Sequence, residues 1–108
     1  MKGNHADNAK LFKAFCDETR LMVLSLLQNG ERCVCVLTAK LKLAQPKLSY
    51  HMKVLVESGI VKARREGKWI YYSISEEGSN HAIRLMRELT EVISITDETD
   101  QINKEYCR

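Results

Sequence analysis

Long apolar runs are missing from this chain of 108 residues. No stretch approaches the about 20 consecutive apolar residues that a membrane span requires. The N-terminal "MKGNHADNAK" also lacks the apolar core of a signal peptide. A cytoplasmic protein with no membrane partner is expected. Proline occurs once and glycine five times, too few for a collagen-like or low-complexity chain. Cysteine is sparse as well, at four residues. In a reducing compartment these are expected as free thiols or metal-bound thiolates rather than as a disulfide framework. Neither sign of charge dominates: the formal net charge is +3, with 44% hydrophobic and 29% charged residues. That balance belongs to a soluble globular domain and excludes a disordered one. A chain this short builds one small core, so burial against a second subunit would be a natural supplement.

The charge that is present is unevenly placed. Eight basic residues lie between Lys40 and Lys68 (Lys40, Lys42, Lys47, Lys53, Lys62, Arg64, Arg65, Lys68) against Glu57 and Glu66 alone. From Glu88 to Glu105 six acidic residues face only Lys104. A basic middle with an acidic end points to a polyanionic partner on one side of the molecule.

Periodicity then supplies the elements. "DNAKLFKAF" spaces Leu11, Phe12 and Phe15 as a short amphipathic helix. "CDETRLMVLSLLQNG" opens on Asp17 as N-cap and stops at Asn29-Gly30, with Leu21, Val23, Leu24 and Leu27 as its core stripe. A third helix is expected from Cys33 to Leu41. "AQPKLSYHMKVLVESG" forms a fourth, with Pro46 tolerated in its first turn and Gly59 ending it. It is expected to bury Leu48, Met52, Leu55 and Val56. After Gly59 the period falls to two: "IVKARREGKWIYYSIS" reads as a β-hairpin turning at Glu66-Gly67-Lys68. Trp69, Tyr71 and Tyr72 are expected to pack the hairpin onto the core. A last helix from about Ser79 to Ile95 carries Ile83, Met86, Leu89 and Ile93 on one face. The division expected is a domain over 1–97 and a mobile, frayed tail over 98–108.

This order is mainly α with a β-hairpin wing, a winged helix-turn-helix. Two helices joined by a tight turn can lay the second in the major groove of double-stranded DNA while the hairpin follows neighbouring phosphates. The candidate DNA contacts are Gln45, Lys47, Ser49, Tyr50 and Lys53 on the fourth helix and Arg64, Arg65 and Lys68 on the hairpin. For His51, a backbone contact and packing beneath the helix are equally open. An enzyme is not expected, because Cys16, Cys33 and Cys35 have no His/Asn arrangement around a substrate cleft.

Four stretches, "DETRLMVLSLL", "GERCVCVL", "AQPKLSYHMKVLVESGIVKARREGKWIYYSI" and the closing amphipathic helix, resemble the ArsR/SmtB family of winged-helix metalloregulators. The resemblance implies a homodimer joined through its first and last helices, bound to an imperfect operator palindrome and released by a metal or metalloid. The family's arsenic and antimony sensors begin the third helix E-L-C-V-C-D-L-C. Here "ERCVCVLT" keeps the first two thiols as Cys33 and Cys35, has Val36 for the acid and Thr38 for the third cysteine.

Cys33 and Cys35 are accordingly the expected metal ligands, with As(III) or Sb(III) as inducer and no permanent cofactor. Both ions are soft and three-coordinate and favour thiolates, as do Cd(II) and Pb(II); thiol oxidation would consume the same pair. On a straight helix two such residues sit about 200° apart, so unwinding of the first turn is expected on binding. The third ligand stays open among Cys16, Cys107, hydroxide and a small thiol. The zinc site that other members carry on the last helix is expected to be absent, since His81 and Glu91 lack the paired spacing.

Overall fold

The computed structural model describes residues 4–94 and 97–106. Helix α1, His5–Lys13, starts at Asn4, whose side-chain oxygen accepts from the Asp7 N–H at 2.7 Å. Helix α2, Glu18–Leu27, starts at Asp17 as expected; its carboxylate accepts from the Arg20 N–H at 3.1 Å. That bond, ahead of the Coulombic pull of Arg20, holds the Asp17 carboxyl below the usual carboxylate range. A two-residue strand β1, Arg32–Cys33, precedes helix α3, Val34–Leu41. The chain then reverses at Lys42, which adopts the left-handed conformation with φ 55° and ψ 46° and donates its N–H to the Thr38 carbonyl. Helix α4, Gln45–Glu57, follows with Pro46 in its first turn, where its missing N–H breaks no helical bond.

The hairpin consists of β2, Val61–Glu66, and β3, Trp69–Ile74, paired antiparallel with Glu66 opposite Trp69 and Val61 opposite Ile74. Gly67 supplies the positive φ of 61° at the first position of its two-residue loop. Strand β1 adds to the other side of β3, giving the order β1-β3-β2, with Cys33 opposite Tyr71. Two residues are too short to show a period of two, so this strand was not foreseen.

Leu37, Leu48, Met52, Leu55 and Val23 are fully buried and join α2, α3 and α4 into one core with Leu27, Ile60, Val61 and Tyr72. Each such side chain contributes about 1.5–3 kcal/mol by leaving water. The helix-turn-helix is thus fixed from below by its own apolar side chains. Two expected core members are exposed instead. Leu21 lies one residue off the α2 stripe that contains Val23 and Leu27, and Val56 lies at the outer edge of the α4 stripe.

Helix α5, Glu76–Thr90, begins three residues earlier than expected, because Ser75 caps it by accepting the Gly78 N–H at 3.0 Å. It also ends earlier. The Thr90 hydroxyl bonds back to the Met86 carbonyl at 2.8 Å and Glu91 is extended, so Ile93 falls outside the helix; Ile95 is outside the described residues. Where a frayed tail was expected, Asp97–Tyr106 forms helix α6, with Lys104 in its last turn, favourable to the helix dipole. Among the described residues no helix is long and apolar enough to cross a membrane.

Gly78 sets how closely α5 approaches the corner between α4 and β2. A β-carbon there would stand 1.8 Å from the Gly59 carbonyl oxygen, a backbone atom that cannot rotate away. Gly78→Ala is therefore expected to cost about 1–3 kcal/mol or more through overpacking, read as a fall in Tm of several degrees. A Tm at or above the parent's would show that the corner can open freely.

Candidate functional site

The two thiols of interest do not share a helix. Cys33 is the N-cap residue of α3, extended at φ −71° and ψ 149°, while Cys35 lies in the first helical turn. The expectation of diverging sulfurs is corrected by that one residue: outside the helix, Cys33 need not follow the helical rotation. Its side chain turns back over the first turn, and the Cys35 thiol donates to the Cys33 sulfur at 3.0 Å. No unwinding is needed to bring the pair together.

The contact divides the pair chemically. The Cys35 S–H and, next, the Cys35 backbone N–H stabilise negative charge on the Cys33 sulfur, holding its pKa below that of an ordinary thiol. Cys35 is pushed up, first because its proton is engaged by Cys33. Cys33 is therefore the more readily ionised sulfur of the two, and Cys35 its donor. Cys33 is half-buried and Cys35 exposed, so an ion can reach both. Of the third-ligand candidates, Cys16 donates its thiol to the Phe12 carbonyl at 3.4 Å, within its own segment. Cys107 lies outside the described residues. Among the described residues no group of three or more His, Cys, Asp or Glu side chains converges on one point.

Through β1 the thiol pair is built into the wing. Two residues before Cys33, Glu31 accepts both Nε and Nη2 of Arg64, at 3.0 and 2.8 Å, and Arg64 Nη1 reaches Glu66 at 2.7 Å. The same guanidinium stacks 4.6 Å above the Tyr71 ring. The Arg64 side chain thus ties the segment ahead of β1 to both hairpin strands. Its hydrogen bond to Glu31 holds that carboxyl below the usual range, and the two carboxylates raise the Arg64 pKa further. This neutralised guanidinium was expected on a phosphate.

The remaining nucleic-acid candidates are presented freely. Gln45, Lys47, Ser49, Tyr50 and Lys53 are all exposed on α4, while Leu48, His51, Met52 and Leu55 are buried on its other side. Residues 45, 49 and 53 recur at intervals of four, the spacing that aligns side chains along one helical face. Arg65 and Lys68 are exposed on the hairpin. Trp69 was expected against the core but is 46% exposed at the hairpin tip, with the Lys68 amine 5.6 Å from its ring. Its place beside a two-residue turn puts it beyond the core's reach; Tyr72, three residues on, is the one that packs inward.

His51 is buried, which decides between its two readings. Reading from sequence missed its partner, Arg20, which donates to the His51 ring at 3.0 Å. The only available signal was a charged residue three positions before Val23 and seven before Leu27, on the buried stripe of α2.

A last surface is apolar. Phe12 of α1, Phe15 just after it, and Ala82, Ile83, Met86 and Arg87 of α5 line an open groove. Ile83, Met86 and Leu89 are each about half exposed on one side of α5, the single face on which their spacing placed them. His81 is also exposed on α5, and Glu91 is exposed just after it.

Residues 17–63 match the family described as bacterial regulatory protein, arsR family. An uncharacterized HTH-type transcriptional regulator of Methanocaldococcus jannaschii is 49% identical over 75% of this chain and 92% of its own length. An arsenical resistance operon repressor of Escherichia coli is 44% identical, over 73% of this chain and 68% of its own. A cadmium resistance transcriptional regulatory protein homolog of Staphylococcus aureus is 40% identical, over 70% and 64%. In structure the chain is similar to HlyU from Vibrio cholerae, with a TM-score of 0.65 and 33% identity over 83% of this chain and 98% of that one.

Proposed function

Since this chain belongs to the ArsR family of DNA-binding transcriptional regulators, we propose that it is a homodimeric repressor released from operator DNA when arsenite or antimonite binds Cys33 and Cys35. The observation that carries this reading is the 3.0 Å contact between the two sulfurs. A soft ion favouring thiolates meets two sulfurs already converged, Cys33 being the more readily ionised. With arsenite, each new As–S bond displaces a hydroxide, which leaves as water with that thiol's proton. The third position on arsenic keeps its hydroxide or takes a further thiol, from Cys16, Cys107 or a small molecule.

Release requires that the ion bind better to a conformation that binds DNA worse. The unwinding of α3 is no longer the route, because the sulfurs meet without it. Cys33 belongs to the wing's sheet and Cys35 to the helix that supports α4. An ion gripping both fixes the angle between those two elements, and the angle sets whether wing and α4 can meet DNA together. On the DNA side, α4 enters the major groove with Gln45 and Ser49 at base edges or phosphates and Tyr50 beside them. Lys47, Lys53, Arg65 and Lys68 neutralise phosphates. Arg64 serves the interface by bracing the hairpin. The apolar groove between α1 and α5 receives its counterpart from a second copy, since a patch of this kind left open is unusual on a monomer.

A second reading rests on the same two sulfurs: Cd(II) or Pb(II) as inducer, or oxidation of the pair to a disulfide. One titration separates these. Reduced protein on labelled DNA from upstream of its own gene is followed by anisotropy as arsenite is added. Release at near-stoichiometric arsenite is expected. DNA binding that survives excess arsenite but fails with Cd(II), Pb(II) or an oxidant would transfer the role to that inducer.

A further inference from the structure

Beneath α4 lies a polar cluster that neither the thiol pair nor the DNA-facing side chains use. Arg20 of α2 is 7% exposed and His51 of α4 is 6% exposed. Arg20 spends its guanidinium on three acceptors: Nε on the Ala14 carbonyl at 3.0 Å, Nη2 on the Lys13 carbonyl at 3.2 Å and Nη1 on His51 Nδ1 at 3.0 Å. Both carbonyls lie at the end of α1, where the Lys13 oxygen also accepts the Cys16 N–H at 3.0 Å, so one side chain bolts the end of α1 to α2 and α4. An arginine can only donate. His51 Nδ1 must therefore be the unprotonated nitrogen of a neutral ring, with its proton on Nε2.

A charged buried group in a core of leucine and valine is costly unless fully partnered. Here Nδ1 is the one side-chain acceptor of the three. We infer that His51 is a positioning residue for DNA recognition: by accepting Arg20 its neutral imidazole fixes the seat of α4, and its protonation unseats α4 and weakens operator binding. This rests on the reading of α4 as the recognition helix.

The groups that face His51 decide the sign. From α2, Arg20 stands at 3.0 Å, and from its N-cap Asp17 places Oδ2 at 3.8 Å from Nδ1. From the end of α1 come only the backbone carbonyls of Lys13 and Ala14, already taken by Arg20. On α4 itself, the Tyr50 ring meets the imidazole edge-on at 5.4 Å. A proton on Nδ1 removes the acceptor for Nη1 and sets two cations against each other at hydrogen-bond distance. Asp17 offers partial relief, but its Oδ2 lies beyond hydrogen-bond range of Nδ1 and already caps α2 through the Arg20 N–H. Nδ1 and Nη1 must therefore separate, and the separation falls between α2 and α4. An added positive charge acting only through the field would tighten binding to DNA phosphates. The direction of the pH effect therefore distinguishes repositioning from simple charge.

The test compares the parent with His51→Asn, whose side-chain oxygen can stand where Nδ1 stands and cannot take a proton in this range. Affinity for operator DNA is measured by anisotropy at constant salt from about pH 7.5 down to the pH at which nitrogen-15 NMR finds Nδ1 protonated in the free parent. The parent should lose about tenfold or more. His51→Asn should bind within about twofold of the parent at the upper pH and stay flat, which also controls for exposed His5 and His81. A parent that binds equally or more tightly in acid overturns the inference, as does a variant that falls in parallel. Nitrogen-15 NMR of the free parent supplies a reading that needs neither DNA nor a folded variant. It should find Nδ1 unprotonated at neutral pH, and α4 amide signals moving as that nitrogen gains its proton. A protonated Nδ1 at neutral pH, or α4 amides indifferent to the titration, would refute the positioning role. Absence of DNA binding by the parent at any pH would instead remove the reading of α4 as recognition helix, leaving the NMR result to decide the role of His51.

Discussion

Met86→Glu should leave a folded monomer that binds operator DNA at least about 100-fold more weakly than the parent. Met86 is half exposed in the groove that Phe12, Phe15, Ala82, Ile83 and Arg87 complete. Because it makes no contribution to the central core of Val23, Leu37, Leu48 and Leu55, the charge should spare the fold. In the proposed dimer the same carboxylate would be buried against an apolar surface with no guaranteed partner, which costs several kcal/mol in association. Two wings and two recognition helices act on one operator only while the subunits are joined, and losing a linked second module costs 10²- to 10⁴-fold, roughly, in avidity. Sedimentation gives the mass and anisotropy the affinity. A Met86→Glu variant that still sediments as a dimer would place the interface elsewhere. A monomer that binds DNA like the parent would show that one subunit suffices.

The second large effect concerns the thiols. Cys33→Ser and Cys35→Ser should each raise the arsenite concentration needed for DNA release by about 100-fold or more, since a single remaining sulfur loses the advantage of the second attachment. The two positions should differ in another respect. The Cys33 pKa is held down chiefly by the Cys35 S–H, so alkylation by iodoacetamide should reach Cys33 at a lower pH than Cys35. Cys35→Ser retains a hydroxyl that can donate to Cys33 and should preserve part of that reactivity. Cys35→Ala removes the donor and should move the Cys33 alkylation profile up toward that of an ordinary thiol. Mass spectrometry of the two peptides against pH reads this directly. Equal profiles for both thiols would mean that the contact does not persist in solution.

What sequence could and could not show follows from the range of the forces involved. The helix-turn-helix was legible because Asp17, Pro46 and Gly59 punctuate it locally and because Leu48, Met52 and Leu55 mark one helical side. The hairpin was legible from its period of two and Gly67. By contrast, the position of Cys33 relative to the helix start was decided by strand pairing with Tyr71, some forty residues away in the chain. A shift of one residue there reversed the expected relation between the sulfurs. Arg64 looked like a phosphate ligand because nothing local reveals that Glu31 waits across the sheet. Arg20 and His51 are 31 residues apart, and their contact exists only once α2 and α4 pack. The α5 stripe was legible as one face as far as Leu89, while Ile93 lies beyond the helix end at Thr90; hydrophobic periodicity gives a direction and not what lies in that direction.

The bracing of the hairpin by Arg64 also changes how many small ions the protein displaces when it binds. A guanidinium already neutralised by Glu31 and Glu66 has no free charge with which to expel cations condensed on the duplex. In the proposed complex each wing should then count for about two released counterions, from Arg65 and Lys68, where the sequence alone would suggest three. In exchange, the rigid hairpin presents those two charges at a fixed spacing. On that reading the sensitivity of repression to ionic strength is set partly by Glu31, through its hold on Arg64.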